Sequence, residues 1–253
     1  MKNSIPGEKS DAVEKNWKTE LRKYIDEGLG LGLFMISASF FDAVVEYPGL
    51  PFRHIISSAL LRRFLVGLAM GLTALYIFTS RFGIQSGAYI NPAVTIVRYR
   101  LGDINKTDSL FYTIFQLLGG SLGVYIVILI FPSWMKNPEV NYIVTVPGKA
   151  GTTIAFMMEF FISFILIAVV LFMGLKKRWD KYTPYAVSFL ITLFITFEAP
   201  FSGMSMNPAR TFASAAVAGE WKSFWLYCTA PVLGMLAGEY LYRGTKKYFL
   251  VTN

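Results

Sequence analysis

The sequence predicts an all-α membrane protein: six transmembrane helices and two re-entrant half-helices, arranged as an inverted repeat. Three observations carry that expectation. The chain is 54% hydrophobic and only 16% charged, whereas an ordinary soluble domain is about a quarter charged. Long runs contain no Asp, Glu, Lys or Arg, among them 64–80, 109–135, 182–197 and 223–238. The triplet Asn-Pro-Ala occurs at 91–93 and again at 207–209, once in each half of the chain.

Full spans are placed at 24–45, 61–80, 109–131, 152–175, 183–199 and 222–242. Each approaches the roughly 20 apolar residues that cross a hydrocarbon core of about 30 Å at about 1.5 Å per residue. Segment 83–101 lies between the second and third spans, and 202–218 between the fifth and sixth. Both are apolar and too short to cross together with their flanking turns, so they read as re-entrant. The expected organisation is a charged tail over 1–23, a membrane domain over 24–243 with halves at 24–131 and 152–243, and a second tail over 244–253. The mixed-sign first segment lacks the basic start and apolar core of a signal peptide.

Basic residues set the expected orientation. Placing the N-terminus inside puts seventeen of the 24 Lys and Arg on the inner side, which favours that topology. Both termini are then cytoplasmic, the first re-entrant segment enters from inside and the second from outside. The formal charge of +8 follows from topology and requires no nucleic-acid partner; the expected surroundings are the lipid bilayer of the cell membrane. One His (His54) and one Cys (Cys228) leave little material for a metal site or a nucleophile–base pair. No cofactor, metal or enzymatic activity is expected.

Helix–helix–re-entrant–helix occurs twice, and an odd number of spans per half inverts the second copy. Such repeats place their functional site near the midplane, between the halves. Gly28, Gly30, Gly32, Gly67, Gly71, Gly119, Gly120, Gly234 and Gly238 suit close crossings.

In each triplet Asn is a favoured N-cap and Pro is favoured at the first helical position. Asn91-Pro92-Ala93 and Asn207-Pro208-Ala209 therefore read as two half-helix starts that meet at the membrane centre. Each start carries about half a positive charge, which repels a cation and welcomes a solute oxygen. The Asn91 and Asn207 side chains are expected to donate into the lumen. Donors facing a water file from two sides interrupt a proton wire, so the site suits neutral hydrogen-bonding solutes. Arg210 follows the second triplet directly. It reads either as a fixed cation at a constriction or as an arginine snorkelling to the surface, the first preferred. Glu27 and Glu159 are the other ionisable groups this reading puts within the membrane. Their matching places favour hydrogen bonding to re-entrant backbone N–H groups over proton coupling. Gln116 is expected to join helices.

The segments Ser86-Gly87-Ala88-Tyr89-Ile90-Asn91-Pro92-Ala93-Val94-Thr95 and Gly203-Met204-Ser205-Met206-Asn207-Pro208-Ala209-Arg210 closely resemble the signature loops of the aquaporin (major intrinsic protein) family. The resemblance extends over about 24–243, through Glu27-x-x-Gly30, Gln116-x-x-Gly119, Glu159 and Pro231-x-x-Gly234. It implies an aquaporin-like fold, one pore per subunit, a homotetramer, and passage of water or a small neutral solute. It also implies a selectivity filter at Met70, Ile195, Met204 and Arg210, of which only Arg210 matches the family's usual residue. The water-channel branch tends to carry an aromatic and a His at the first two positions. Glycerol facilitators tend to carry two aromatics and a Gly, with an Asp in the place of Thr211. Thr211, Ala215, Tyr227 and the short connection 132–151 lean towards water, and Cys228 leans away. A glycerol-type facilitator is the nearest alternative; a coupled transporter and a structural junction protein are more distant ones.

Overall fold

The structure, a computed structural model, describes residues 17–251. Among these residues all regular structure is helical. The first half contains α1 (Trp17–Glu46), α2 (Pro51–Ile55), α3 (Ala59–Thr79), α4 (Arg81–Ser86), α5 (Pro92–Leu101) and α6 (Lys106–Ile130). A connection with α7 (Pro132–Met135) and a short 3₁₀ turn at Asn141–Ile143 leads to the second half. That half contains α8 (Thr152–Met173), α9 (Lys177–Asp180), α10 (Thr183–Phe197), α11 (Ala199–Ser202), α12 (Pro208–Ala218) and α13 (Phe224–Val251).

α1, α3, α6 and α8 are each long and apolar enough to cross a membrane, and α10 is a shorter apolar helix of 15 residues. α13, at 28 residues, completes the six-helix frame. The helices extend beyond the spans that hydropathy marks. Residues 17–23, expected in the first tail, are the start of α1, where Lys23 and Glu20 pair at 3.2 Å and Trp17 packs edge-on to Phe111 at 5.7 Å. Residues 244–251 likewise continue α13. The rest of the two expected tails, 1–16 and 252–253, lies outside the described residues.

Packing repeats with the chain. α1 packs along α6 as α8 packs along α13, α3 and α10 pack across the two halves, and the half-helices α5 and α12 lean on α13 and α6. Each half-helix therefore rests on a full helix of both halves. The α1–α6 crossing is backbone on backbone: a Cβ added to Gly28 would lie 2.8 Å from the Phe115 carbonyl oxygen. Small residues allow such approach where lipid gives helices no hydrophobic drive to associate.

The two half-helices have matched punctuation. Asn91 and Asn207 sit at their N-caps in extended conformation with Pro92 and Pro208 next. Gly102 (φ 86°) and Gly219 (φ 71°) end them in the left-handed region, which glycine tolerates best. With 10 and 11 residues, each spans about 15 Å, half the hydrocarbon thickness. Two of them end to end make one crossing.

Candidate pore

The turns before the two half-helices share one backbone. Gly87, Ala88 and Ile90 have positive φ in the first, and Gly203, Met204 and Met206 in the second. Neighbouring N–H groups then point away from the lumen, where each turn meets a buried carboxylate. Glu27 accepts from the Tyr89 N–H at 2.9 Å and the Ile90 N–H at 2.6 Å. Glu159 accepts from the Ser205 N–H at 2.7 Å, the Met206 N–H at 2.8 Å and the Ser202 hydroxyl at 2.7 Å. Both carboxylates are 0% exposed, so these partners replace water and satisfy irregular backbone at membrane depth.

Further contacts steady each turn. Gln116 donates to Glu27 at 2.7 Å and to the Thr95 hydroxyl at 3.2 Å, joining α6 to α1 and α5. The Tyr112 hydroxyl donates to the Ser86 carbonyl at 2.7 Å, and the Tyr227 hydroxyl to the Ser202 carbonyl at 2.5 Å. Tyr112 and Tyr227 are therefore counterparts on the last helix of each half. Tyr112 lies one helical turn before Gln116, on the same face of α6, and that spacing is its only mark in the sequence.

Where the half-helices meet, the asparagines lock them together. Asn91 Nδ2 donates to the Met206 carbonyl at 2.8 Å, and Asn207 Nδ2 donates to the Ile90 carbonyl at 2.8 Å. Asn91 Oδ1 caps Ala93 N–H at 2.9 Å, while Asn207 Oδ1 accepts from Ala209 N–H at 3.0 Å and Arg210 N–H at 3.3 Å. One N–H of each amide is thus committed across the repeat axis, and one is left.

Arg210 neither snorkels nor stands alone. Its Nη1 donates to the Ile143 carbonyl at 2.9 Å and to the Thr145 hydroxyl, so the connection between the halves holds the guanidinium in place. Ile90, Met206 and Ile143, whose carbonyls receive the Asn207, Asn91 and Arg210 donors, have φ of 41°, 54° and 53°. Non-glycine residues adopt that conformation at a cost of about 1–2 kcal/mol each. Part of the strain, which Ala88, Met204, Asn141 and Tyr142 share, thus sits at the three carbonyls that fix the polar groups of the lumen.

A cavity of about 630 Å³ runs through the bundle. Its walls include Asn91, Asn207 and the carbonyl-bearing turns in the middle. Val66, Met70, Ile191, Ile195, Met204 and Arg210 line one end, and Val170, Asp180, Thr183 and Arg98 the other. All four expected filter positions, Met70, Ile195, Met204 and Arg210, therefore face one lumen. Pro92, Ala93, Pro208 and Ala209 are buried beside it in the half-helix starts. Glu27 and Glu159 stand behind the turns and are absent from its lining.

Glu27, Glu159 and Arg210 are not the only ionisable groups in the bundle. Asp26, Glu198 and Glu239 are buried on α1, after α10 and on α13, and Asp42 on α1 lines the cavity. Hydropathy does not mark them, because single carboxylates leave an apolar run apolar. Asp42 had one legible signal: it continues the i, i+4 series Phe34, Ala38, Asp42, Glu46, all four of which line the cavity.

The helical frame and the lumen between opposed half-helices define a multi-pass membrane protein with a through-going cavity. The chain belongs to the major intrinsic protein family, whose profile matches residues 14–242. Aquaporin NIP3-1 of Arabidopsis thaliana is 34% identical over 193 residues, covering 73% of this chain and 58% of that protein. Aquaporin-4 of Mus musculus is 32% identical over 180 residues, covering 70% of this chain and 55% of that protein. The match thus spans little more than half the length of these relatives. The solved aquaglyceroporin of Plasmodium falciparum has the same fold, with a TM-score of 0.79 at 20% identity over 91% of this chain and 98% of that one.

Proposed function

We propose that the chain is a passive channel for water and small neutral solutes that excludes ions and protons. The observation that carries this reading is the reciprocal Asn91–Met206 and Asn207–Ile90 lock in the middle of the cavity. It holds two half-helix N-termini towards one point, where their partial positive charges add. A cation arriving there sheds water and meets positive potential, while a neutral solute places an oxygen against the remaining amide N–H groups. Placing Glu27 and Glu159 behind the turns argues against proton coupling, since neither carboxylate reaches the solute path.

Met70, Ile195, Met204 and Arg210 form the proposed selectivity filter, with Arg210 as donor and fixed cation. The same reading takes both termini as cytoplasmic, the cell membrane as the location and a homotetramer as the assembly. Family membership and a cavity lined from both halves favour transport over catalysis.

A second reading, a glycerol-type facilitator, is favoured by the apolar wall of Val66, Met70, Ile191 and Ile195 facing Arg210 across one end of the cavity. Stopped-flow light scattering on proteoliposomes, with water and glycerol permeability from one preparation, separates the two. Water permeability well above protein-free vesicles supports the channel reading. Glycerol permeability raised in parallel supports the second, and neither raised contradicts both.

A further inference from the structure

At the Arg210 end of the cavity, most charges are already spoken for. Glu46 is paired with Arg62 at 2.9 Å and with Arg53 at 3.3 Å. Arg63 donates to the Thr196 carbonyl at 3.1 Å, and Arg210 is tied to Ile143 and Thr145. Asp42 differs: it lines the cavity, and no hydrogen bond or salt bridge joins it to another described residue. Arg210 lines the same cavity. A carboxylate left in that condition at membrane depth is costly to keep unless something in the path uses it.

The chemistry of the path identifies what that is. As a carboxylate Asp42 accepts only, and Arg210 donates only. The α1 series places Asp42 two turns beyond Phe34, towards the helix end at Glu46. Val66, Met70 and Ile195 add apolar wall, and the other charged side chains of the lining at this end, Glu46 and Arg63, are held by Arg62, Arg53 and the Thr196 carbonyl. We infer that Asp42 is a specificity-determining residue of the lumen, taking the N–H donors of an amide-type solute whose carbonyl oxygen turns to Arg210. Urea fits this pair: two adjacent N–H groups match the two oxygens of a carboxylate, and its single oxygen matches the guanidinium. A solute with an acceptor but no donors gains nothing from Asp42 and leaves its carboxylate unsolvated. That asymmetry is the strong form of selectivity, because rejection comes from a polar group left unpaired.

This inference rests on the channel reading, and the test separates the two. Urea and water permeabilities are measured on the same proteoliposomes carrying the full chain, for the unaltered protein, Asp42→Asn and Asp42→Glu. The inference expects the urea-to-water ratio to fall roughly tenfold in D42N, the loss of one charge-assisted hydrogen bond, and to recover in D42E. In the unaltered protein, guanidinium at millimolar concentration is expected to compete with urea, since it has the same N–H edge but meets Arg210 as a like charge. This second measurement needs no variant to fold. A urea-to-water ratio that is unchanged in D42N, or urea flux indifferent to guanidinium, overturns the role of Asp42. Absence of water permeability in the unaltered protein instead overturns the channel reading beneath it.

Discussion

Replacing Glu159 by Gln tests the claim that a buried carboxylate, and not merely a polar side chain, holds the second turn. Glu159 Oε1 accepts from the Ser202 hydroxyl and the Ser205 N–H, both at 2.7 Å, and Oε2 accepts from the Met206 N–H at 2.8 Å. Gln keeps one acceptor oxygen and turns an NH₂ group towards the other donors. In its better orientation the amide oxygen keeps the Ser202 and Ser205 bonds while the NH₂ faces the Met206 N–H. One charge-assisted bond is then lost and a buried donor is left without an acceptor. Such a loss costs about 2–3 kcal/mol, against a total stability on the order of 10 kcal/mol for a typical domain. For a chain of this size it corresponds to a melting point lower by roughly 5–10 °C. Thermal unfolding of the purified protein in detergent, compared with Glu27→Gln, measures it. Because Glu27 Oε2 takes both the Ile90 N–H and the Gln116 amide, a similar loss is expected there. E159Q melting within about 1 °C of the unaltered protein would refute the reasoning; that scale is well below one such bond.

Arg210→Val removes the fixed cation while leaving the half-helix start in place, and proton or cation leak is expected to rise roughly tenfold or more. A pH-sensitive dye inside the vesicles reads it, and leak at the unaltered level counts against the role. Asn207→Ala removes two caps and the bond to the Ile90 carbonyl. Its expected cost is about 2–4 kcal/mol, read by the same melting assay, and Asn91→Ala should behave alike. A variant of either kind with normal stability and normal ion exclusion would contradict the lock.

The frame was legible because its causes are local. Long apolar runs mark spans, Asn-Pro marks a helix start, and Gly102 and Gly219 mark the stops. The matched places of Glu27 and Glu159 favour each as an acceptor for a turn, since irregular backbone in lipid demands one. What stayed hidden depends on distant segments meeting. That each Asn amide reaches the carbonyl of the opposite turn follows from the left-handed Ile90 and Met206, which nothing in their side chains announces. The hold of Ile143 and Thr145 on Arg210 belongs to a connection whose sequence shows no helical or strand period. Asp42 is hidden for the opposite reason, since a lone carboxylate scarcely alters the hydropathy of its run.

The central claim is that one lumen passes neutral solute while its locked half-helices turn charge away. The most direct test measures both properties on the same vesicles: osmotic water flux by light scattering and proton flux by an entrapped dye under an imposed potential. The account predicts water permeability well above that of protein-free vesicles with proton flux no greater than theirs. Proton flux rising in step with water permeability would contradict it.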